Sequence, residues 1–166
     1  ELLQWLGPDA ARPPVHRHPA PERFEVLRGR LTVVIEGAAD RLDPGEAATV
    51  DPGVEHTFRN DTDGFVAFRV EPPWAKTVQT QYTFFGCDHE GKFGSDGEYG
   101  EPGPLHALVL SEAVSDETRI DVAPRLLQRA AWATLGRIAR RLGHRAIEER
   151  YLTDEFWRDH VEQPDR

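Results

Sequence analysis

The chain of 166 residues is 39% hydrophobic and 30% charged, a soluble composition with enough apolar content for one core and appended structure. Twenty Lys and Arg against twenty-nine Asp and Glu leave a net charge of −9, which disfavours nucleic acid and anionic lipid as partners, and no apolar run is long enough to span a bilayer. The single cysteine, Cys87, excludes an intramolecular disulfide, and Glu1 to Leu6 do not read as a secretory leader, so a reducing, cytoplasmic setting is expected.

From Leu2 to Val70 the chain reads as short β-strands punctuated by Gly, Pro and Asp. Arg23–Arg28 and Arg30–Glu36 are β-rich runs separated by Gly29, which predicts a tight hairpin. Ala47–Val50, His56–Asn60 and Phe65–Val70 are further strands, with the turn signals LDPG and DPG between them. Short strands at close spacing without intervening helices predict a sandwich or small barrel. After Pro72 the pattern becomes helical. Trp74–Phe85 and Leu105–Ala113 are helix candidates, and a loop carrying Gly91, Gly94, Gly97, Gly100 and Gly103 lies between them, placed to cover the barrel mouth. Pro124–Leu142 is the clearest helix: Leu127, Ala131, Leu135, Ile138 and Leu142 recur at helical spacing, Pro124 stands in its first turn, and Gly143 follows its end. The predicted architecture is a β-barrel over residues 1–72 and a helical extension over 73–166.

The chemistry concentrates in His16-Arg17-His18, followed by Glu22. Residues of one parity in a strand share a face, so His16 and His18 point together, and Glu22, Phe24 and Val26 form a second inward set that leaves Arg23 and Glu25 outside. His56 supplies a third imidazole after the DPG turn. Three imidazoles and one carboxylate are a nitrogen and oxygen donor set suited to Fe, Mn, Co, Ni or Zn. Cys87 with His89 is too small a set for a metal, and His106, His144 and His160 read as packing or surface residues. The glycines from Gly91 to Gly103 stand among Glu90, Asp96, Glu98 and Glu101, which excludes a phosphate cradle. The arginines from Arg125 to Arg145 read as a solvated face.

This constellation resembles the two motifs of the cupin family. His16, His18, Glu22 and Gly29 stand at the spacing of the first, and Gly45, Gly53, His56 and Asn60 at that of the second. Ala10 and Asp51 replace a glycine and a proline of those motifs, both at turn positions rather than at ligands. The resemblance covers Leu2 to Val70. It implies a mainly β, jelly-roll-like single cupin barrel with a helical C-terminal segment, and a metal held by His16, His18, Glu22 and His56. The ERFEVLRG wording and the Arg-rich tail resemble the quercetin-dioxygenase-like small monocupins, which implies open coordination positions for a substrate or dioxygen.

The expected function is therefore a metal-dependent oxygenase or related oxidoreductase acting on a small organic molecule. Glu22 doubles as a candidate catalytic base, and Phe24, Val26 and Phe58 line an apolar cavity. A non-catalytic binding or sensing barrel, and a metal-dependent isomerase or hydrolase, remain open from sequence. The apolar helix face and the sheet edges need covering, and the habit of cupins to pair through their sheets implies a homodimer.

Overall fold

The computed structural model describes residues 1–8, 10, 12–72, 74–93 and 101–160. The loop glycines Gly94, Gly97 and Gly100 lie outside them, and so does the expectation that this loop covers the barrel mouth. The chain divides into two compact units, Glu1–Trp74 with Ser115–Val122, and Ala75–Val114 with Ala123–Arg166.

Among the described residues the first unit holds nine strands: β1 (Leu2–Leu6), β2 (His16–Arg17), β3 (Glu22–Arg28), β4 (Leu31–Ile35), β5 (Ala38–Leu42), β6 (Ala47–Val50), β7 (His56–Arg59), β8 (Val66–Glu71) and β9 (Arg119–Ile120). They form two antiparallel sheets, ordered β1-β8-β3-β6 and β5-β4-β7-β2-β9. Between the sheets lies one apolar core of Phe24, Val26, Leu31, Val33, Leu42, Val50, Phe58, Val66, Phe68 and Val70. Strand β3 shows how the pattern is made. Glu22, Phe24 and Val26 are buried while Arg23 and Glu25 alternate outward, where they pair with each other at 2.6 Å.

Three expectations are corrected here. First, β3 and β4 do not form a hairpin. Strand β3 pairs with β6 and β8, whereas β4 pairs with β5 and β7, so Gly29 turns the chain from one sheet into the other. Gly29 has φ +76°, and a Cβ there would stand 2.6 Å from the Phe65 carbonyl oxygen. Both the backbone conformation and the space admit only glycine. Gly29→Ala should therefore destabilise the barrel by about 2 kcal/mol, read as a lowered denaturant midpoint. An unchanged midpoint would show that the turn relaxes freely.

Second, a barrel ending at residue 72 omits two pieces of the first unit. Trp74 belongs to it rather than to a helix, and the segment 115–122 returns from the helical half to supply β9 at the open edge of β2.

Third, the helices differ from expectation in bounds and in facing. They are α1 (Ala75–His89), α2 (Pro104–Ala113), α3 (Arg125–Ala131), a π-helical turn at Trp132–Gly136, α4 (Arg137–Arg141), a short 3-10 turn at Glu149–Leu152, and α5 (Asp154–His160). The buried residues from α3 to α4 are Gln128, Trp132, Gly136 and Ala139. Within this unit the Trp132 indole donates to Ser111 Oγ of α2 at 3.1 Å, and Gly136 and Ala139 leave room for close packing. On the single chain the apolar stripe is exposed: Leu127 is 62%, Leu135 47%, Ile138 48% and Leu142 66% exposed. Among the described residues, no helix is long and apolar enough to cross a membrane.

Candidate metal centre

Three local features bring the four candidate side chains inward. His16 and His18 flank Arg17 at the two-residue strand β2, Glu22 opens β3, and His56 opens β7. His16 and His56 are direct cross-strand partners, which places their rings side by side, with centroids 4.4 Å apart. The His18 ring lies 5.0 Å from His16 and 5.4 Å from His56. All four side chains are buried, and their donor atoms lie within 4.8 Å of one another. Donors at ~2.1 Å from one ion stand about 3.0 Å apart when adjacent and about 4.2 Å apart when opposite, so the cluster is slightly wider than a single-ion site and within reach of one by small side-chain shifts.

The outer hydrogen bonds orient it. His16 Nδ1 donates to the Pro14 carbonyl at 2.7 Å, His18 Nδ1 to the Glu117 carbonyl at 2.7 Å, and His56 Nδ1 to the Val54 carbonyl at 3.0 Å. A carbonyl oxygen only accepts, so each ring carries its proton on Nδ1 and presents the Nε2 lone pair to the centre. The consequence appears at Glu22. Its Oε2 lies 2.8 Å from His56 Nε2 and its Oε1 3.4 Å from His18 Nε2. Two acceptors at such distances repel unless a cation, a proton or a metal ion, stands between them. Protonation is opposed on the neighbouring rings. Burial lowers the pKa of His16 to about 4, against the raising influence of its Pro14 hydrogen bond, and burial also lowers that of His18. The donor set therefore fits a divalent metal by chemistry, by size and by tautomer.

The remaining candidates occupy the core beside the cluster. Phe24 packs 5.5 Å from Phe58 and 6.0 Å from His56, and Val26 belongs to the same apolar cluster. Asn60, a motif position, binds no ligand atom. Its amide donates to the carbonyls of Leu6, Gly7 and Gly64, and its oxygen accepts from the Thr62 backbone N–H and hydroxyl. It ties the end of β1 to the turn after β7. A shallow recess of about 510 Å³ lined by Pro21, Arg23, Thr49 and Glu71 involves the outward-facing side of β3 and none of the four clustered residues. In the helical unit Cys87 is buried and His89 exposed, so the two do not form a pair. His106 is buried and bonds the Arg145 carbonyl at 2.9 Å.

Two neighbours of the cluster were not expected. Trp74 stacks on His18 at 5.0 Å and 12°, and its indole nitrogen is buried without a hydrogen-bond partner among the described residues. Glu117 lends its carbonyl to His18, with the Thr118 hydroxyl 3.3 Å from the same nitrogen. A backbone carbonyl has no side-chain signature. The short alternation Thr118-Arg119-Ile120 is the sole sequence hint of a strand there.

Residues 2–69 match the Cupin_2 family, described as a cupin domain. The barrel is a cupin fold. Over 63 residues the chain is 35% identical to the endoribonuclease YbeY of Myxococcus xanthus, covering 38% of this chain and 21% of that protein. Three solved structures are similar over 41% of this chain. Salicylate 1,2-dioxygenase of Pseudaminobacter salicylatoxidans is 29% identical over 19% of its own chain, with a TM-score of 0.38. A sugar phosphate isomerase of Silicibacter pomeroyi is 30% identical over 45%, with a TM-score of 0.37. The DMSP lyase DddQ of Ruegeria pomeroyi is 29% identical over 34%, with a TM-score of 0.37. This chain thus spans about a fifth of the curated relative and less than half of each of these structures. The cupin barrel carries a buried His16, His18, Glu22 and His56 cluster compatible with a divalent metal.

Proposed function

We propose that the barrel holds one divalent metal ion through His16, His18, Glu22 and His56 and acts as a metal-dependent oxygenase or related oxidoreductase on a small organic molecule. The observation that carries the metal reading is the convergence of three imidazole donors and the Glu22 carboxylate, with Glu22 Oε2 2.8 Å from His56 Nε2, a contact that calls for a proton or a metal ion between them. Four protein donors leave about two positions of a six-coordinate ion for other ligands. A redox-active metal there would supply the electron transfer that an oxygenase needs, and zinc would supply polarisation alone.

The chain's own groups do the rest in this reading. The three imidazoles, locked by carbonyls at Nδ1, keep their Nε2 atoms aimed at one point. Glu22 balances the cation's charge and holds a carboxylate oxygen available as a proton acceptor. Phe24, Val26 and Phe58, packed in the core beside the cluster, would keep water from the inner side of the site and give an organic substrate an apolar wall to meet. The −9 charge fits a small-molecule partner better than a polyanion, and a cytoplasmic setting fits the single buried thiol of Cys87.

The test is metal analysis of protein purified without added metal, followed by oxygen uptake on a panel of phenolic and carboxylic compounds. One redox-active metal per chain with oxygen uptake supports the proposal. Ligand binding without turnover would make the barrel a sensing or storage module, and turnover without oxygen uptake an isomerase or hydrolase. Protein that takes up no metal overturns the reading at its base.

The proposed assembly is a homodimer in which the exposed stripe of Leu127, Leu135, Ile138 and Leu142 is covered by a second copy. Each such side chain is worth ~1.5 kcal/mol or more when removed from water. Light scattering at micromolar concentration should give about twice the chain mass of 18.7 kDa, and Leu135→Glu should return it to one chain mass. A wild-type mass near 18.7 kDa overturns the dimer.

A further inference from the structure

His18 differs from the other two histidines in where its orientation comes from. His16 and His56 bond carbonyls two residues before them, Pro14 and Val54, so their orientation is built into their own strands. His18 bonds the carbonyl of Glu117, 99 residues away. That carbonyl belongs to the segment Ser115–Val122, which leaves the helical unit after α2, joins the barrel sheet, and continues into α3.

The segment is fastened to β2 just before the carbonyl's target. Strand β9 pairs with β2 through His16↔Ile120 and Arg17↔Arg119. Arg17, between the two histidines, forms ion pairs with Asp121 and with Glu55, and Arg119 pairs with Asp121 at 2.7 Å. Thr118 is buried beside His18. The strap therefore fixes both the backbone that carries two of the candidate ligands and the ring of one of them.

We infer that Ser115–Val122 is a positioning strap that sets the affinity of the metal centre by holding His18, through the Glu117 carbonyl, in its metal-binding orientation. This rests on the metal reading of the preceding section. With the strap docked, the centre has four donors. With it released, the His18 ring loses its Nδ1 acceptor and keeps only its stacking on Trp74, while His16, Glu22 and His56 retain their own supports. Outer hydrogen-bond partners of this kind are typically worth ~10–100-fold in metal affinity. Because affinities are reciprocally linked, metal binding must in turn hold the strap down. Its two ends run into α2 and α3, so the helical half of the chain gains a covalent route to the occupancy of the barrel.

The test is titration of the full chain with Co(II) or Ni(II). Wild type is compared with Ile120→Pro, which removes the Ile120 backbone N–H and disfavours strand β9, with Asp121→Ala, which removes the ion pair to Arg17, and with Arg30→Ala as a distant surface control. Ile120→Pro should weaken binding ~10–100-fold and Asp121→Ala less, with the control unchanged. In a His18→Ala background, Ile120→Pro should cost much less than in the wild type, with only the support of the His16 backbone left to lose, whereas general damage to the barrel would lower affinity equally in both backgrounds and overturn the inference. Hydrogen exchange on the wild type needs no variant: amides 117–121 should slow when metal is added, and unchanged exchange there overturns the strap even if Ile120→Pro fails to fold. Wild-type protein that binds no metal overturns the metal reading itself. Metal bound equally by wild type and strap variants overturns only the strap.

Discussion

Replacing His56 with alanine is expected to lower Co(II) or Ni(II) affinity by at least about 100-fold, the upper end of what the loss of a mere outer partner costs. His56 is the ring that meets the others: it lies 4.4 Å from His16 and 5.4 Å from His18, and its Nε2 faces Glu22 at 2.8 Å. Its removal takes one donor and also leaves the Glu22 carboxylate buried without the partner that now faces it. Glu22→Gln, which keeps the shape and removes the charge, should weaken binding in the same direction. His106→Ala removes another buried histidine, one that bonds the Arg145 carbonyl in the helical unit, and should leave metal affinity within about twofold of wild type, far below even an outer-partner loss. Equal losses in the His56 and His106 variants would mean that burial, and not ligation, governs the result.

The second large effect is a loss of stability in acid, measurable on metal-free protein. Burial holds His16 down at about 4 from an ordinary 6.5, and His18 also below 6.5. Both are neutral in the folded barrel while the unfolded chain takes up protons as pH falls through 6.5. In that window the unfolded state binds more protons, so stability rises with pH. It should be flat above about pH 7 and decline from 6.5 toward 4, with His16 alone contributing up to about 3 kcal/mol of the loss. Urea midpoints taken at half-unit pH steps measure this, and His16→Gln should flatten the profile. Constant midpoints from pH 6.5 to 4.5 would mean that the histidines are not held neutral. Metal should be released over the same range, because imidazole must be neutral to coordinate. The lowered values place that release on the acid side of 6.5, where an unperturbed imidazole would begin to let go.

The four clustered side chains were legible in the sequence because two short-range rules locate them. Strand parity puts His16 with His18 and Glu22 with Phe24, and the DPG turn sets His56 on the next strand, while the resemblance to the cupin motifs is what implies that the four form one set. Other features depend on atoms far along the chain. Gly29 looks the same in a hairpin and in a crossover between sheets, and the difference lies in the Phe65 carbonyl beneath it. The stripe Leu127, Leu135, Ile138 and Leu142 is periodic, but Gln128, Trp132, Gly136 and Ala139 are equally periodic and are the buried set. Hydrophobicity favours the first set. Packing favours the second, whose small residues and hydrogen-bonding indole allow close approach to α2. Trp74 reads as the start of a helix until its stacking on His18 is seen.

The late return of the strap has a consequence for the making of the protein. Strand β8 ends at Glu71 and β9 begins at Arg119, so a ribosome adds roughly fifty residues between them, which at ~5–20 residues per second takes about 2.5–10 seconds. During that interval the nascent barrel can close its core, yet β2 has an open edge and His18 has no acceptor for its Nδ1 proton. An open edge recruits other strands, and here it runs beside the histidine cluster. The last strand to emerge seals the edge and seats the ring in one step, so the barrel's most exposed moment in synthesis is also the moment before its histidines are set.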